Sequence, residues 1–79
     1  IIAHDNFIGH GNHLAPGCCL GSSINIGDFS ILGIGSSVST NVKIGNGCII
    51  SLNSSVTKNL NNNSLVEGVP GKIIGKTNI

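Results

Sequence analysis

Over the first 61 residues an aliphatic side chain returns at every sixth position: Ile2, Ile8, Leu14, Leu20, Ile26, Leu32, Val38, Ile44, Ile50 and Val56. The next position is small in every unit, namely Ala3, Gly9, Ala15, Gly21, Gly27, Gly33, Ser39, Gly45, Ser51 and Thr57. Ile, Leu and Val fill 24 of 79 positions, so ten aliphatic matches in succession have chance odds of about one in 10⁵. A period of six is neither the 3.6 of a helix nor the 2 of a plain strand. It is the signature of an all-β parallel β-helix made of hexapeptides, with three units to each triangular coil. Each unit is expected to supply a short strand and a corner, with the aliphatic side chain pointing inward and the small neighbour easing the turn.

Residues eighteen apart are then expected to stack. Ile2, Leu20, Val38 and Val56 form one interior column, Ile8, Ile26 and Ile44 a second, and Leu14, Leu32 and Ile50 a third. The fifth position of each unit also faces inward and is mostly small or polar: Asn6, Asn12, Cys18, Ile24, Ser30, Ser36, Val42, Cys48, Ser54 and Leu60. At about 4.8 Å per coil, just over three coils give a stack of roughly 16 Å. Glycine at 12 of 79 positions and many β-branched residues oppose helix formation throughout.

After residue 61 the code fails, which predicts a repeat domain over 1–61 and a cap over 62–79. Pro70 within Gly68-Val69-Pro70-Gly71 favours a turn, after which Lys72, Ile73 and Ile74 begin a strand or a short helix. A chain of this size has a small core, and the ends of a repeat stack need covering, so oligomerisation is expected. The first repeat begins at once, at Ile2, with no capping element before it, which reads as a piece of a longer protein with a domain before it.

Composition narrows the function. A net charge of +1 gives no basis for nucleic-acid binding, and the two aromatics, Phe7 and Phe29, make no stacking platform for bases. No apolar stretch approaches the roughly 20 residues of a membrane span and no signal peptide is visible, so the cytoplasm is the expected compartment. Cys18 and Cys48 fall on interior positions and Cys19 on a corner, at spacings that match neither a zinc ribbon nor a redox pair.

The chemistry concentrates in the first coil, where His4, His10 and His13 occur within ten residues. His4 and His10 hold the same place in successive units and are expected on different sides of the prism. His13, near another corner, is expected to share a cleft with His4 only across an oligomer interface. His4 is followed by Asp5, and a carboxylate beside an imidazole raises its basicity and holds its tautomer, which suits a general base. A zinc site of the carbonic anhydrase kind is disfavoured, because its histidines must converge across coils and no fourth histidine exists near residue 40.

The run from His4-Asp5 through Ile8-Gly9 and His13 to Leu14-Ala15-Pro16-Gly17, then Val56-Thr57-Lys58 and Gly68-Val69-Pro70-Gly71-Lys72, resembles the C-terminal half of bacterial hexapeptide-repeat sugar acetyltransferases. The similarity is to the sialic-acid O-acetyltransferase and UDP-4-amino-sugar N-acetyltransferase type. It implies a left-handed coil, a homotrimer, acetyl-coenzyme A in the groove between neighbouring coils, and no metal. It further implies direct attack of a sugar or nucleotide-sugar amine or hydroxyl on the thioester, with His4 as base and Asp5 raising its basicity. A backbone N–H one coil above His4, at Ser22 or the adjoining Gly21, would meet the oxyanion, and His13 would contact the acetyl-coenzyme A. Pantetheine lying along the axis would touch residues eighteen apart, which selects Ile34 and Leu52 in the column that begins at Pro16. Lys72 or Lys76 would lie near its phosphates. The missing preceding domain would be an α/β sugar-nucleotide-binding domain. A non-catalytic trimerisation or scaffold module is the alternative.

Overall fold

The chain builds a three-sided prism, and the computed structural model describes residues 1–79. Nine two-residue strands wind around it: β1 (Phe7–Ile8), β2 (His13–Leu14), β3 (Cys19–Leu20), β4 (Asn25–Ile26), β5 (Ile31–Leu32), β6 (Ser37–Val38), β7 (Lys43–Ile44), β8 (Ile49–Ile50) and β9 (Ser55–Val56). A hairpin of β10 (Ser64–Glu67) and β11 (Lys72–Lys76) follows. The first face is β1-β4-β7, the second runs β2-β5-β8-β10-β11, and the third is β3-β6-β9. All pairings are parallel except that between β10 and β11. There is no helix.

The interior columns stack as the six-residue code requires. Ile8 pairs with Ile26 and Ile26 with Ile44; Leu14 pairs with Leu32 and Leu32 with Ile50; Ile2, Leu20, Val38 and Val56 stand in line on the third face. Ile24, Ile26 and Leu32 have no solvent exposure. Burial of this aliphatic surface is the main force holding the coil closed. The fifth positions turn inward as well, and two of the three in the first coil, Asn6 and Asn12, are polar because they tie coils together. Asn6 Oδ1 accepts the Ile24 N–H at 2.8 Å while its amide donates to the Gly21 carbonyl at 2.9 Å. Asn12 repeats the arrangement with Ser30 and Gly27 at 2.7 and 2.8 Å. Cys18 and Cys48 are buried free thiols and Cys19 is an exposed one.

Three features depart from the sequence reading. The ladder continues past residue 61: Leu60 bridges Ile44 and Val66 pairs with Ile50, each sixteen residues on rather than eighteen. The turn after β9 is two residues short, so the hexad is lost while the column is kept, and Val66 is only 1% exposed. The cap is then a β-hairpin whose second strand contains Lys72, Ile73 and Ile74.

The small position after each aliphatic residue is not where the chain turns. At Gly33, for example, the N–H bonds the Ile50 carbonyl at 2.8 Å, and a Cβ would come within 2.7 Å of the Leu52 nitrogen above. Its smallness reflects close stacking along the axis. The left-handed corner comes two residues later, at Asp5, Gly11, Gly17, Ser23, Phe29, Gly35, Asn41, Gly47 and Asn53. Finally, His13 and Cys19 lie within strands β2 and β3 with their side chains outward, because each strand spans the last position of one unit and the first of the next. The expected corner placement of both is corrected accordingly.

Candidate active site

The three corners share one backbone turn and carry different side chains. His4, Ser22, Thr40 and Lys58 occupy the corner between the third and first faces. His10, Asp28, Asn46 and Asn62 occupy the corner between the first and second faces, and Pro16, Ile34 and Leu52 the corner between the second and third. In each corner the left-handed residue donates its N–H to the coil below, as in Ser23 to His4 O (3.3 Å), Phe29 to His10 O (2.9 Å) and Asn53 to Ile34 O (2.8 Å).

At the first corner Asp5 has φ 64°, a left-handed conformation that Asp tolerates better than most residues. Its carboxylate Oδ2 lies 2.9 Å from His4 Nδ1. The two side chains are 83% and 76% exposed, so the pair contributes little to stability. Its effect is chemical: the contact favours the tautomer that donates Nδ1–H to Asp5, in which the lone pair of Nε2 points into solvent.

One coil above His4, the Gly21 N–H is committed to the Val38 carbonyl at 3.0 Å. The Ser22 N–H meets Thr40 Oγ1 at a longer 3.3 Å. Of the two donors considered from sequence, only that of Ser22 lies outside the ladder. Thr40 escaped the sequence reading, although its offset of eighteen residues from Ser22 is the signal that places it there.

His13 pairs with Ile31 and Ile31 with Ile49, so an exposed imidazole heads an apolar strip on the second face. Beside it, Ile34 and Leu52 are 61% and 66% exposed. Neither has a partner within the chain for its backbone N–H. Within one chain His4 and His13 are not brought together, since the first corner lies opposite the second face. His10 stands on the remaining corner, its N–H bonded to Asp28 Oδ1 at 2.8 Å. No group of three or more His, Cys, Asp or Glu side chains is placed to hold a metal ion. A cavity of about 290 Å³ opens at the upper end, lined among others by Val56, Leu60, Val66, Lys58 and Lys72. Lys76 is not part of it.

No protein-family model and no curated protein matches the sequence. Solved structures do. A histidine-to-asparagine variant of perosamine N-acetyltransferase from Caulobacter crescentus, in complex with CoA and GDP-perosamine, is 33% identical with a TM-score of 0.88 over 91% of this chain and 34% of that one. The coil is a left-handed parallel β-helix of about three turns. A structure of PerB from the same organism, also in complex with CoA and GDP-perosamine, is 34% identical over 90% of this chain and 34% of that chain, with a TM-score of 0.88. Serine acetyltransferase from Neisseria gonorrhoeae shares the fold at 22% identity and a TM-score of 0.71, over 95% of this chain and 40% of its own. The structural neighbours are thus hexapeptide-repeat acetyltransferases. The chain spans about a third of the length of the two Caulobacter crescentus proteins it matches.

Proposed function

We propose that this coil is the acetyl-coenzyme A-binding part of an acetyltransferase that acetylates an amine or hydroxyl of a sugar or nucleotide sugar. The observation that carries the reading is the exposed His4–Asp5 pair, 2.9 Å apart, one coil below a Ser22 N–H that lies outside the strand ladder. The likeness to coils solved with CoA and GDP-perosamine supports it. His4 Nε2 takes the proton of the acceptor as its nitrogen or oxygen attacks the thioester carbonyl. Asp5 fixes the tautomer and orients the ring as positive charge develops on it. The oxyanion is met by the Ser22 N–H. Collapse expels the coenzyme A sulfur, which leaves with the proton from His4.

Acetyl-coenzyme A lies along the corner of Ile34 and Leu52, whose side chains offer hydrocarbon and whose N–H groups are unspent, with His13 at the acyl end. A homotrimer brings the His4 corner of one subunit against the second face of the next, so that His13 and His4 share a groove. A preceding α/β domain holds the nucleotide part of the acceptor, and the reaction takes place in the cytoplasm. No metal enters these steps.

Calorimetric titration of acetyl-coenzyme A, with light scattering for the oligomeric state, tests the reading. Saturable binding by a trimer, weakened at least tenfold in His13→Ala, is expected, in line with loss of a hydrogen bond and its packing. A trimer that binds no coenzyme would favour the scaffold reading instead.

A further inference from the structure

The backbone N–H at the first position of each corner is treated differently on the three edges of the prism. On the edge of His10 it is closed: Asp28, Asn46 and Asn62 accept it from the residue below at 2.8, 2.7 and 2.8 Å. On the edge of Ile34 and Leu52 it has no partner. On the edge of His4 the Ser22 N–H is held loosely, by Thr40 Oγ1 at 3.3 Å, while the N–H groups of His4 and Thr40 have no partner.

The acceptor chemistry differs as well. A carboxylate or carboxamide oxygen only accepts, whereas a hydroxyl that accepts one hydrogen bond still has its own proton to give. Thr40 Oγ1 makes no other hydrogen bond within the chain, and Thr40 is exposed. An oxygen about 2.8 Å from both Ser22 N and Thr40 Oγ1 is geometrically allowed, because the two are only 3.3 Å apart. The hydroxyl also needs a glycine beneath it, since a Cβ on Gly21 would lie 2.6 Å from Thr40 Oγ1.

We propose that Thr40 is a second catalytic donor, its O–H joining the Ser22 N–H in holding the oxyanion of the acetyl-transfer step. This rests on the reading of His4 and Ser22 above. As the acceptor attacks, its N–H or O–H bond breaks and the proton goes to His4 Nε2. The new bond forms to the acyl carbon, and the carbonyl π electrons move onto the oxygen between Ser22 and Thr40. When the C=O reforms, the C–S bond breaks and the sulfur receives the proton held by His4. Thr40 is unchanged at the end.

The experiment compares Thr40→Val, which keeps the shape and removes the O–H, with Thr40→Ser, which keeps the O–H. Acetyl transfer from saturating acetyl-coenzyme A to GDP-perosamine as acceptor is followed as thiol release, with His4→Ala alongside and with coenzyme affinity measured separately. Expected for Thr40→Val is a loss in kcat of about 10²-fold at unchanged coenzyme affinity, the scale for one lost oxyanion donor. Thr40→Ser should stay close to the native rate, and Thr40→Ala should repeat the valine result if the valine variant misfolds. Native kcat in Thr40→Val, with His4→Ala inactive, overturns the proposal and leaves the general base standing. Native kcat in His4→Ala, or no thiol release by the native protein, removes the general base and the proposal together.

Discussion

The edge of His10, Asp28, Asn46 and Asn62 and the edge of Pro16, Ile34 and Leu52 are the same backbone turn stacked up the same prism, yet they face water in opposite ways. On the first, each Asx side chain accepts the N–H of the coil below at 2.7–2.8 Å, so the edge is closed upon itself. On the second, hydrocarbon is exposed and the N–H groups of Ile34 and Leu52 are unpaired. An edge that satisfies its own donors adds to the fold. An edge that leaves donors and apolar surface open gives up that gain, which a ligand or a second subunit with matching acceptors and hydrocarbon can recover. The His4 edge lies between these extremes, with the Ser22 N–H held by a single long bond and those of His4 and Thr40 unpaired.

Both edges depend on the ladder behind them, and breaking that ladder should produce the largest effect. Ile26 is wholly buried between Ile8 and Ile44. Ile26→Asp places an unpaired charge in a dry column, a cost of several kcal/mol against the roughly 5–15 kcal/mol by which domains are stable. Loss of the cooperative thermal transition is expected by circular dichroism. A variant that melts like the native protein would mean that Ile26 does not face inward.

The contrast between the edges sharpens in a pair of smaller changes. Leu52→Ala removes exposed hydrocarbon, so its melting temperature should hardly move, while affinity for acetyl-coenzyme A should fall about tenfold for two methylenes' worth of lost contact. Asn46→Ala deprives the Asp28 N–H of its acceptor. It should cost about 1 kcal/mol, or roughly 4–8 °C in melting temperature, and leave coenzyme affinity alone. If the two variants exchanged these phenotypes, the apolar edge would be structural and the polar edge the binding surface.

How much of this was legible in the sequence follows from what each residue does. The interior columns were readable because burial in a narrow prism forces one residue type at one interval, and Ile8–Ile26–Ile44 tolerates no slip. The column's upper end was not, because the shortened turn before Leu60 keeps the stacking and breaks the interval. His4–Asp5 could be recognised as a pair because adjacent residues stay adjacent in any fold. The polar ladder of Asp28, Asn46 and Asn62 went unread, as did Thr40, because their roles arise from an axial neighbour one coil away and their residue types vary. The place of His13 within a strand is not legible in the same way, because a six-residue code fixes which residue faces inward but not where within the unit the strand begins.

The polar edge carries one internal conflict, and it supports the smallest of the expected effects. Phe29 holds the left-handed position with φ 58°, where the corners above use Asn41, Gly47 and Asn53. A bulky side chain in that region costs on the order of 1–2 kcal/mol. The ring lies over Gly11, in space that a Cβ there would invade, and this cover returns part of the cost. Phe29 is also 59% exposed, so little of its apolar area is lost on truncation. Phe29→Asn should therefore stabilise the coil by about 0.5–1 kcal/mol, seen as a rise of roughly 2–8 °C in melting temperature. Coenzyme affinity should stay as it is, since the change lies on the edge that satisfies itself. A fall in melting temperature would show instead that the ring's cover over Gly11 outweighs the strain, and would make the aromatic a structural part of the polar edge.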